Sequence, residues 1–395
     1  MSVRILSSRL PVASLWLVFF VNGVVLASWA PRIPQVKSEL DLSDSALGFA
    51  LFGVAAGSVP ALVSTGLLLR YVSSRRVCVV SGLAFAAFLP LISAAEGPVS
   101  LGVVLMMLGA ASGCLDVAMN TAGLEFQRDS RAQVISRLHG GYSLGVLAGA
   151  AGGAWATHLQ VSVLAHFVVV SVVLCPLIVG AAVHFPDAAR TASHAAEFAA
   201  EVPGDRSRQT AGPCLSVVPV TVAALAIGAL LLEGMVTDWS ALLVGRDYDG
   251  GASVGAAVVV AFSVAMFVSR SAGDVLAARL GHRRLLATCS AVIAGSLLVG
   301  LAQPTATGVF VSLTVVGLAS GPLFPLAVSL ASERSRSTVA AAAAQVSAVG
   351  YLAYLAGPPM IGMVAGVWTL PVTVAVVGTA CAVVVATVAL TARTT

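Results

Sequence analysis

Along most of this chain the apolar residues neither alternate nor form a narrow stripe. They run on for about 20 positions at a time and then give way to a short polar stretch. The runs fall at residues 12–33, 45–69, 77–95, 99–125, 134–158, 162–184, 216–242, 252–278, 285–302, 306–331, 338–364 and 367–391. A helix needs about 20 predominantly apolar residues to cross a bilayer, whereas a barrel strand alternates over about ten. Continuous runs of this length predict twelve spanning α-helices. The breaks agree with that reading: Pro31 in SWAPRIP stops the first helix, and Asp41, Ser43 and Asp44 supply helix-start chemistry for the second. Residues 185–214 are the one long polar segment and read as a flexible linker between bundles at 1–184 and 215–395.

The two bundles are copies of one unit. GAASGCLDVAMN at 109–120 returns as GLASGPLFPLAV at 317–328, so Gly109, Ala111, Ser112, Gly113 and Leu115 recur as Gly317, Ala319, Ser320, Gly321 and Leu323. In the same register Arg75 and Arg76 fall on Arg283 and Arg284, and Glu125 on Glu333. Tyr142 aligns with Tyr351 and Trp29 with Trp239 in registers one or two residues longer. Self-similarity on this scale means a repeated architecture. The expected fold class is an all-α membrane protein with twelve transmembrane helices in two pseudo-symmetric six-helix bundles. Gly145, Gly149 and Gly153, spaced by four, give the fifth span a thin face for a neighbouring helix, and Pro358 and Pro359 must bend the eleventh.

Composition narrows the class further, because 58% of residues are hydrophobic and 10% charged, against about 25% charged in a soluble domain. The placement of charge matters more than its net value of +4. Most arginines, among them Arg70, Arg75, Arg76, Arg137, Arg279, Arg283 and Arg284, fall on one side of the twelve-span arrangement, while Arg32, Lys37 and Arg246 fall on the other. The positive-inside rule then puts both termini and the linker in the cytoplasm. The basic residues are loop anchors, and no nucleic-acid partner is expected. Residues 1–30 lack a small-residue cleavage site and do not read as a removable signal. Cys78, Cys114, Cys175, Cys214, Cys289 and Cys381 have no paired spacing, which predicts neither disulfide, metal nor cofactor. A phosphate-binding glycine loop is also lacking, which disfavours ATP-driven work.

Ionisable groups kept inside apolar runs are costly and mark function by default. Asp116 and Asn120 share one face of the fourth span, where the other copy carries Phe324 and Val328. Glu233 lies near the midplane of the seventh span, so a carboxyl from each half could hold a polar solute and a proton together. A carboxyl in low dielectric holds its proton more firmly, as a proton carrier requires. His139, beside Arg137, is a candidate relay, and Asn22, Gln345, Tyr351 and Tyr354 are candidate hydrogen-bonding groups of a cavity. Glu125 and Glu333 recur at helix ends near arginines and read as latches. Arg270 stands four residues before Asp274, a spacing better explained by a pair within one helix than by substrate binding. Arg32 and Asp238, at matching helix ends of the two halves, are expected to approach one another as a gate when that side is shut, with Trp29 and Trp239 sealing the same region.

Two six-span halves, a central linker, basic turns after spans two and eight and glycine-rich spans five and eleven resemble the major facilitator superfamily. The combination of DVAMN, RLHGGYSLG, EGMVTDWS and GYLAYLAGPPMIG is more specific and resembles its fucose-permease-like branch, a group of bacterial inner-membrane proteins. The resemblance implies a secondary active transporter in that membrane, acting as a monomer by alternating access and not an enzyme. Its implied cargo is a small polar or amphipathic organic solute, sugar-like in this branch, with protons as the coupling partner. Efflux of a drug or metabolite by proton antiport is the rival direction, and a membrane-embedded enzyme or a sensor is the rival class. No nucleophile stands at a recognisable spacing from His139, and no soluble sensor domain is visible. One departure concerns the turn after span two, where Arg70 stands near the place of the superfamily's acid and Ser73 at that of its glycine.

Overall fold

The computed structural model describes residues 2–130, 134–185, 219–303, 305–334 and 339–391. The linker expected at 185–214 lies outside these residues apart from its first position. The first span, Ser2–Trp29, continues through a 3-10 turn at Ala30–Arg32 into a short helix, Ile33–Glu39. It is followed by the second span (Asp44–Leu68), the third (Ser74–Phe88, ending in a 3-10 stretch to Ala94), the fourth (Pro98–Ser130), the fifth (Ile135–His158) and the sixth (Val163–Val183). The seventh span is Val220–Leu242 with a π-helical turn at Leu243–Asp247. The eighth and ninth form one continuous assignment, Gly251–Ala302, broken at Gly281. The tenth is split into Ala306–Ser320 and Leu323–Arg334, the eleventh is Val339–Val367 and the twelfth Leu370–Thr391. Among the described residues, eleven segments are long and apolar enough to cross a membrane. The glycine-rich fifth span completes the twelve.

The duplicated letters correspond to duplicated contacts. A methyl group at Gly113 would stand 2.8 Å from the Ser58 carbonyl oxygen, and one at Gly321 would stand 2.7 Å from that of Met266. Gly109 is seated in the same way against Val54, and Gly317 against Phe262. Each pair of contacts is related by the same register as the sequence repeat. The glycines are thus the points where spans four and ten approach spans two and eight backbone to backbone.

The two basic turns are built differently. Gly281 has φ of +75°, a conformation only glycine adopts cheaply, and so turns the chain with no intervening loop. Ser73 at the corresponding place sits in the extended region, after a short turn at the end of the second span.

At the end of the bundle where Asp44 starts the second span, the two halves are pressed together. A Cβ placed on Gly48 would lie 2.5 Å from the Pro358 carbonyl oxygen, and one on Gly362 would lie 2.5 Å from that of Asp44. Ser45 Oγ donates to the Gly362 carbonyl at 3.1 Å across the same seam. The fifth span also packs on the Gly251–Ala302 helix, and the Ile33–Glu39 helix on the seventh span.

Candidate functional site

Arg32, Arg246 and Arg270 stand away from the basic turns, and their environments differ sharply. Arg32 is fully buried. Its Nη1 donates to Thr157 Oγ1 at 3.1 Å and its Nη2 to the Val161 carbonyl, both in its own half. The pairing of Arg32 with Asp238 expected from sequence is not formed. Asp238 instead lines a void of about 10 Å³ with Trp239, Gly357 and Pro358. Pro31 explains the difference: the chain turns through a 3-10 segment there, and Arg32 is carried against the fifth span rather than out to the rim. Trp29 and Trp239 are both buried, as a sealing role requires.

Arg246 is the cross-half cation. Nη1 and Nη2 grip both oxygens of Asp44 at 2.6 and 3.0 Å, while Nε and Nη2 hold Asp247 at 2.8 and 3.0 Å. Lys37 Nζ adds a contact to Asp44 at 3.2 Å. The local sequence places both partners. Ser43 caps the second span by accepting from the Ala46 N–H, which leaves Asp44 in the first helical turn, where a carboxylate is favoured by the helix dipole. The π-helical turn at the end of span seven re-aims Arg246 toward it. Two-point Arg–carboxylate grips are the stronger and more directional kind. Sequence reading took Asp44 only as a cap and Arg246 only as a loop charge. The available signal was scarcity: only three cations lie on that side, and two of them converge on Asp44.

Arg270 is held loosely. Nη2 approaches Glu233 Oε2 at 3.2 Å, Nε reaches the Gly321 carbonyl at 3.4 Å, and Met266 Sδ lies 3.3 Å from Nη2. Its side chain is 44% exposed against 23% for Glu233. It also lines a cavity of about 290 Å³ with Gly273, Ala277, His282, Pro322 and Ser329, on the basic-turn side of the molecule. Arg270 therefore joins spans seven, eight and ten, and its sequence reading as a partner for Asp274 missed these contacts. The side chain of Asp274 lies outside the described residues.

The other candidates divide between helices. Asn120 Nδ2 donates to the Asp116 carbonyl at 2.8 Å and to its Oδ1 at 3.2 Å, a bond within one helix. Asn22 on span one points at span four, its Nδ2 3.7 Å from Met119 Sδ and its buried Oδ1 without a hydrogen-bond partner. His139 is exposed and packs edge-on against Phe19 with ring centroids 5.3 Å apart. Gln345 is half-buried on span eleven. Glu125 accepts from Ser74 Oγ at 2.9 Å and ties the end of span four to the start of span three. The side chains of Glu333, Tyr351 and Tyr354 lie outside the described residues. The structure thus brings Asp116 to Asn120 and Glu233 to Arg270, each within its own half.

Comparison with known proteins places this architecture. The chain is 28% identical over 362 residues to the membrane protein MosC of Rhizobium meliloti, covering 90% of this chain and 84% of the relative. It is 27% identical over 360 residues to an uncharacterised MFS-type transporter of Yersinia pestis, covering 90% and 89%. Among solved structures, the nucleoside transporter NupG superimposes with a TM-score of 0.73 at 12% identity, covering 98% of this chain and all of that one. A bacterial homologue of the human lysosomal transporter Spinster, described as inward-facing and unoccupied, gives 0.72 at 11% identity over 97% and 96%. The family model of the Major Facilitator Superfamily matches residues 15–358, and the chain, a multi-pass membrane protein of the transporter class, belongs to that superfamily.

Proposed function

We propose that the protein is a proton-coupled secondary active transporter that moves a small polar or amphipathic organic solute by alternating access. Its two halves, 1–184 and 215–395, rock about the seam, with the linker at 185–214 and both termini in the cytoplasm of a bacterial inner membrane. The observation that carries this reading is the contrast between the two ends. At the Asp44 end the halves meet backbone to backbone and are joined by the Arg246 grip. Toward the basic turns a cavity of about 290 Å³, lined by spans eight and ten of the carboxy-terminal half, reaches Arg270. With the basic turns on the cytoplasmic side, the closed seam at the opposite end supports an inward-facing arrangement. Asp116 and Glu233 are the two carboxyls near the midplane that could carry the proton. Resemblance to the fucose-permease-like branch points to a sugar-sized solute taken up by the cell, and the same machinery run as an antiporter would export it.

A panel of labelled sugars, sugar acids and amphipathic drugs, offered to purified protein in liposomes with and without a pH gradient, tests this reading. Accumulation of at least one solute that collapses with the gradient supports it, and the direction of the required gradient separates uptake from export. Flux of every solute at the rate of empty liposomes overturns it.

A further inference from the structure

Arg32, Arg246 and Arg270 differ in what their guanidinium groups meet. Arg32 is buried on a hydroxyl and a carbonyl, and Arg246 grips two carboxylates at two points each. Arg270 makes one contact to one carboxylate oxygen and long approaches to a carbonyl and a thioether, although a guanidinium offers five donors in a planar fork. It lines a cavity near the lower end of the size range of small-ligand pockets, roughly 300–1,000 Å³. A guanidinium with a single carboxylate contact at the wall of such a cavity matches a solute carboxylate, which can add two parallel bonds.

We propose that Arg270 is the anion receptor of the transport site, and that Glu233 is the internal carboxylate which holds it until a solute carboxylate takes its place. The proposal rests on the transporter reading and gives its substrate class: a sugar-sized organic acid. Side chains on a helix lean toward its N-terminus, so Arg270 reaches back from the eighth span toward the Asp44 end, alongside Met266 one turn earlier and Glu233 on the seventh. The exchange balances in charge and protons. The solute carboxylate bonds to the guanidinium, the Arg270–Glu233 contact breaks, and a proton from water enters on the freed Glu233 oxygen. One proton travels with each carboxylate, and no net charge moves.

The ionisable neighbours on the elements packed around Glu233 are placed elsewhere, and Arg279, Arg283 and Arg284 stand two turns or more beyond Arg270, at the basic turn. Arg32 on the Ala30–Arg32 turn is held by Thr157, and Lys37 on the following short helix by Asp44. Arg246 is held by two carboxylates, and Asp238, five residues along the same helix, lines the void beside Trp239. The twelfth span has no charged residue. His282 also lines the cavity, and the side chains of Asp274, Tyr351 and Tyr354 lie outside the described residues.

The test is binding followed by flux. Thermal unfolding of detergent-purified protein is followed against acetate, benzoate, gluconate and galacturonate, with glucose and galactose as neutral controls, at pH 6 and pH 8. Wild type should bind at least one acid more tightly at pH 6. Glu233→Gln removes the competitor, so it should bind that acid about tenfold more tightly than wild type at pH 8 and with no dependence on pH. Arg270→Lys should weaken binding, and Arg270→Gln should remove it. The exchanged pair Glu233→Arg with Arg270→Glu keeps the ion pair but moves the cation off the cavity, so it should unfold as wild type does and bind no acid. Equal acid binding by Arg270→Gln, or no acid bound by Glu233→Gln, overturns the proposal. Proteoliposomes loaded with a pH-sensitive dye separate the two readings. Proton-linked flux of neutral sugars alone removes the receptor and leaves the transporter, whereas acid binding without any flux leaves the receptor and removes the transporter.

Discussion

The two halves share a scaffold and differ in their polar centres. In the amino-terminal half the centre closes on itself: Asn120 donates to Asp116 four residues earlier on the same helix. In the carboxy-terminal half it spans three helices, with Glu233 on the seventh span, Arg270 on the eighth and the Gly321 carbonyl on the tenth. The residues in register with Asp116 and Asn120 are Phe324 and Val328, and those in register with Glu233 and Arg270 are Gly23 and Leu62. Gly109 and Gly113 are preserved as Gly317 and Gly321 because a side chain at any of the four would collide with a carbonyl. Positions facing the interior of each bundle carry no such constraint, so duplication preserved the frame and left the chemistry free to diverge.

The largest expected effect breaks this comparison at the carboxyls. Glu233→Gln should lower gradient-driven accumulation by on the order of 100-fold while leaving solute exchange measurable, as expected when a group needed for proton transfer is lost. Asp116→Asn, whose amide neighbour is satisfied within its own helix, should cost roughly tenfold or less, the scale of a hydrogen-bond contribution near 1 kcal/mol. Uptake and exchange assays on the two variants at equal protein levels decide the order. The reverse ranking would place the coupling group in the amino-terminal half.

The seam at the Asp44 end gives the next effect. Alanine at Gly362 would put its Cβ 2.5 Å from the Asp44 carbonyl oxygen and 2.9 Å from Gly48 Cα, both backbone atoms. The halves must part to admit it, at about 1–3 kcal/mol. A cysteine replacing Leu42, which is buried at this end, should then react with a membrane-impermeant maleimide several-fold faster than in the Gly362 parent, in a background without native cysteines. Unchanged labelling would mean that the two backbones are not the closing surface.

Gly113 and Gly321 sharpen the comparison within the scaffold. Alanine at either should cost about 1–3 kcal/mol of stability, since both face a carbonyl under 3 Å from the new methyl. At Gly321 the methyl would also stand 3.1 Å from the Arg270 backbone nitrogen. Similar losses of thermal stability, with solute binding lost only in Gly321→Ala, would show one scaffold carrying two different centres.

What could be read from the sequence follows the same division. Twelve spans, their order and the repeat were legible because burial in lipid demands long apolar runs, and backbone contacts demand glycine at fixed places. The Ser43 cap and the break at Gly281 were legible for the same local reasons. Ion-pair partners were not. Arg270 stands one turn before Asp274 in sequence, yet it reaches Glu233, 37 residues away. Arg246 meets Asp44 at a separation of 202 residues. Pro31 in sequence predicts only a helix stop with Arg32 at its end, whereas the 3-10 turn that proline starts carries Arg32 inward to Thr157. Linear spacing reports neighbours on one helix, and these pairings are set by how helices from different parts of the chain pack.

The smallest expected effect concerns the Asp44–Arg246 grip, another feature without a mate in the repeat: the residues in register with Asp44 and Arg246 are Ala252 and Val36. Asp44 is only 11% exposed and Arg246 38%. An exposed pair contributes about 0–1 kcal/mol, and the two-point geometry with one shielded partner puts this one near the top of that range. Arg246→Gln should therefore shift the balance toward opening at the Asp44 end by about fivefold, roughly 1 kcal/mol. Lys37→Gln removes a single 3.2 Å contact and should shift it less. Because one partner reaches solvent, raising salt from about 0.1 to 1 M, which shortens the screening length from about 10 to 3 Å, should move wild type toward Arg246→Gln and leave the variant nearly unchanged. Labelling of the Leu42→Cys reporter in all three backgrounds measures the shift. A wild type insensitive to salt, or a Lys37 variant that opens more than the Arg246 variant, would show that the closing energy of this end lies in the glycine seam rather than in the grip.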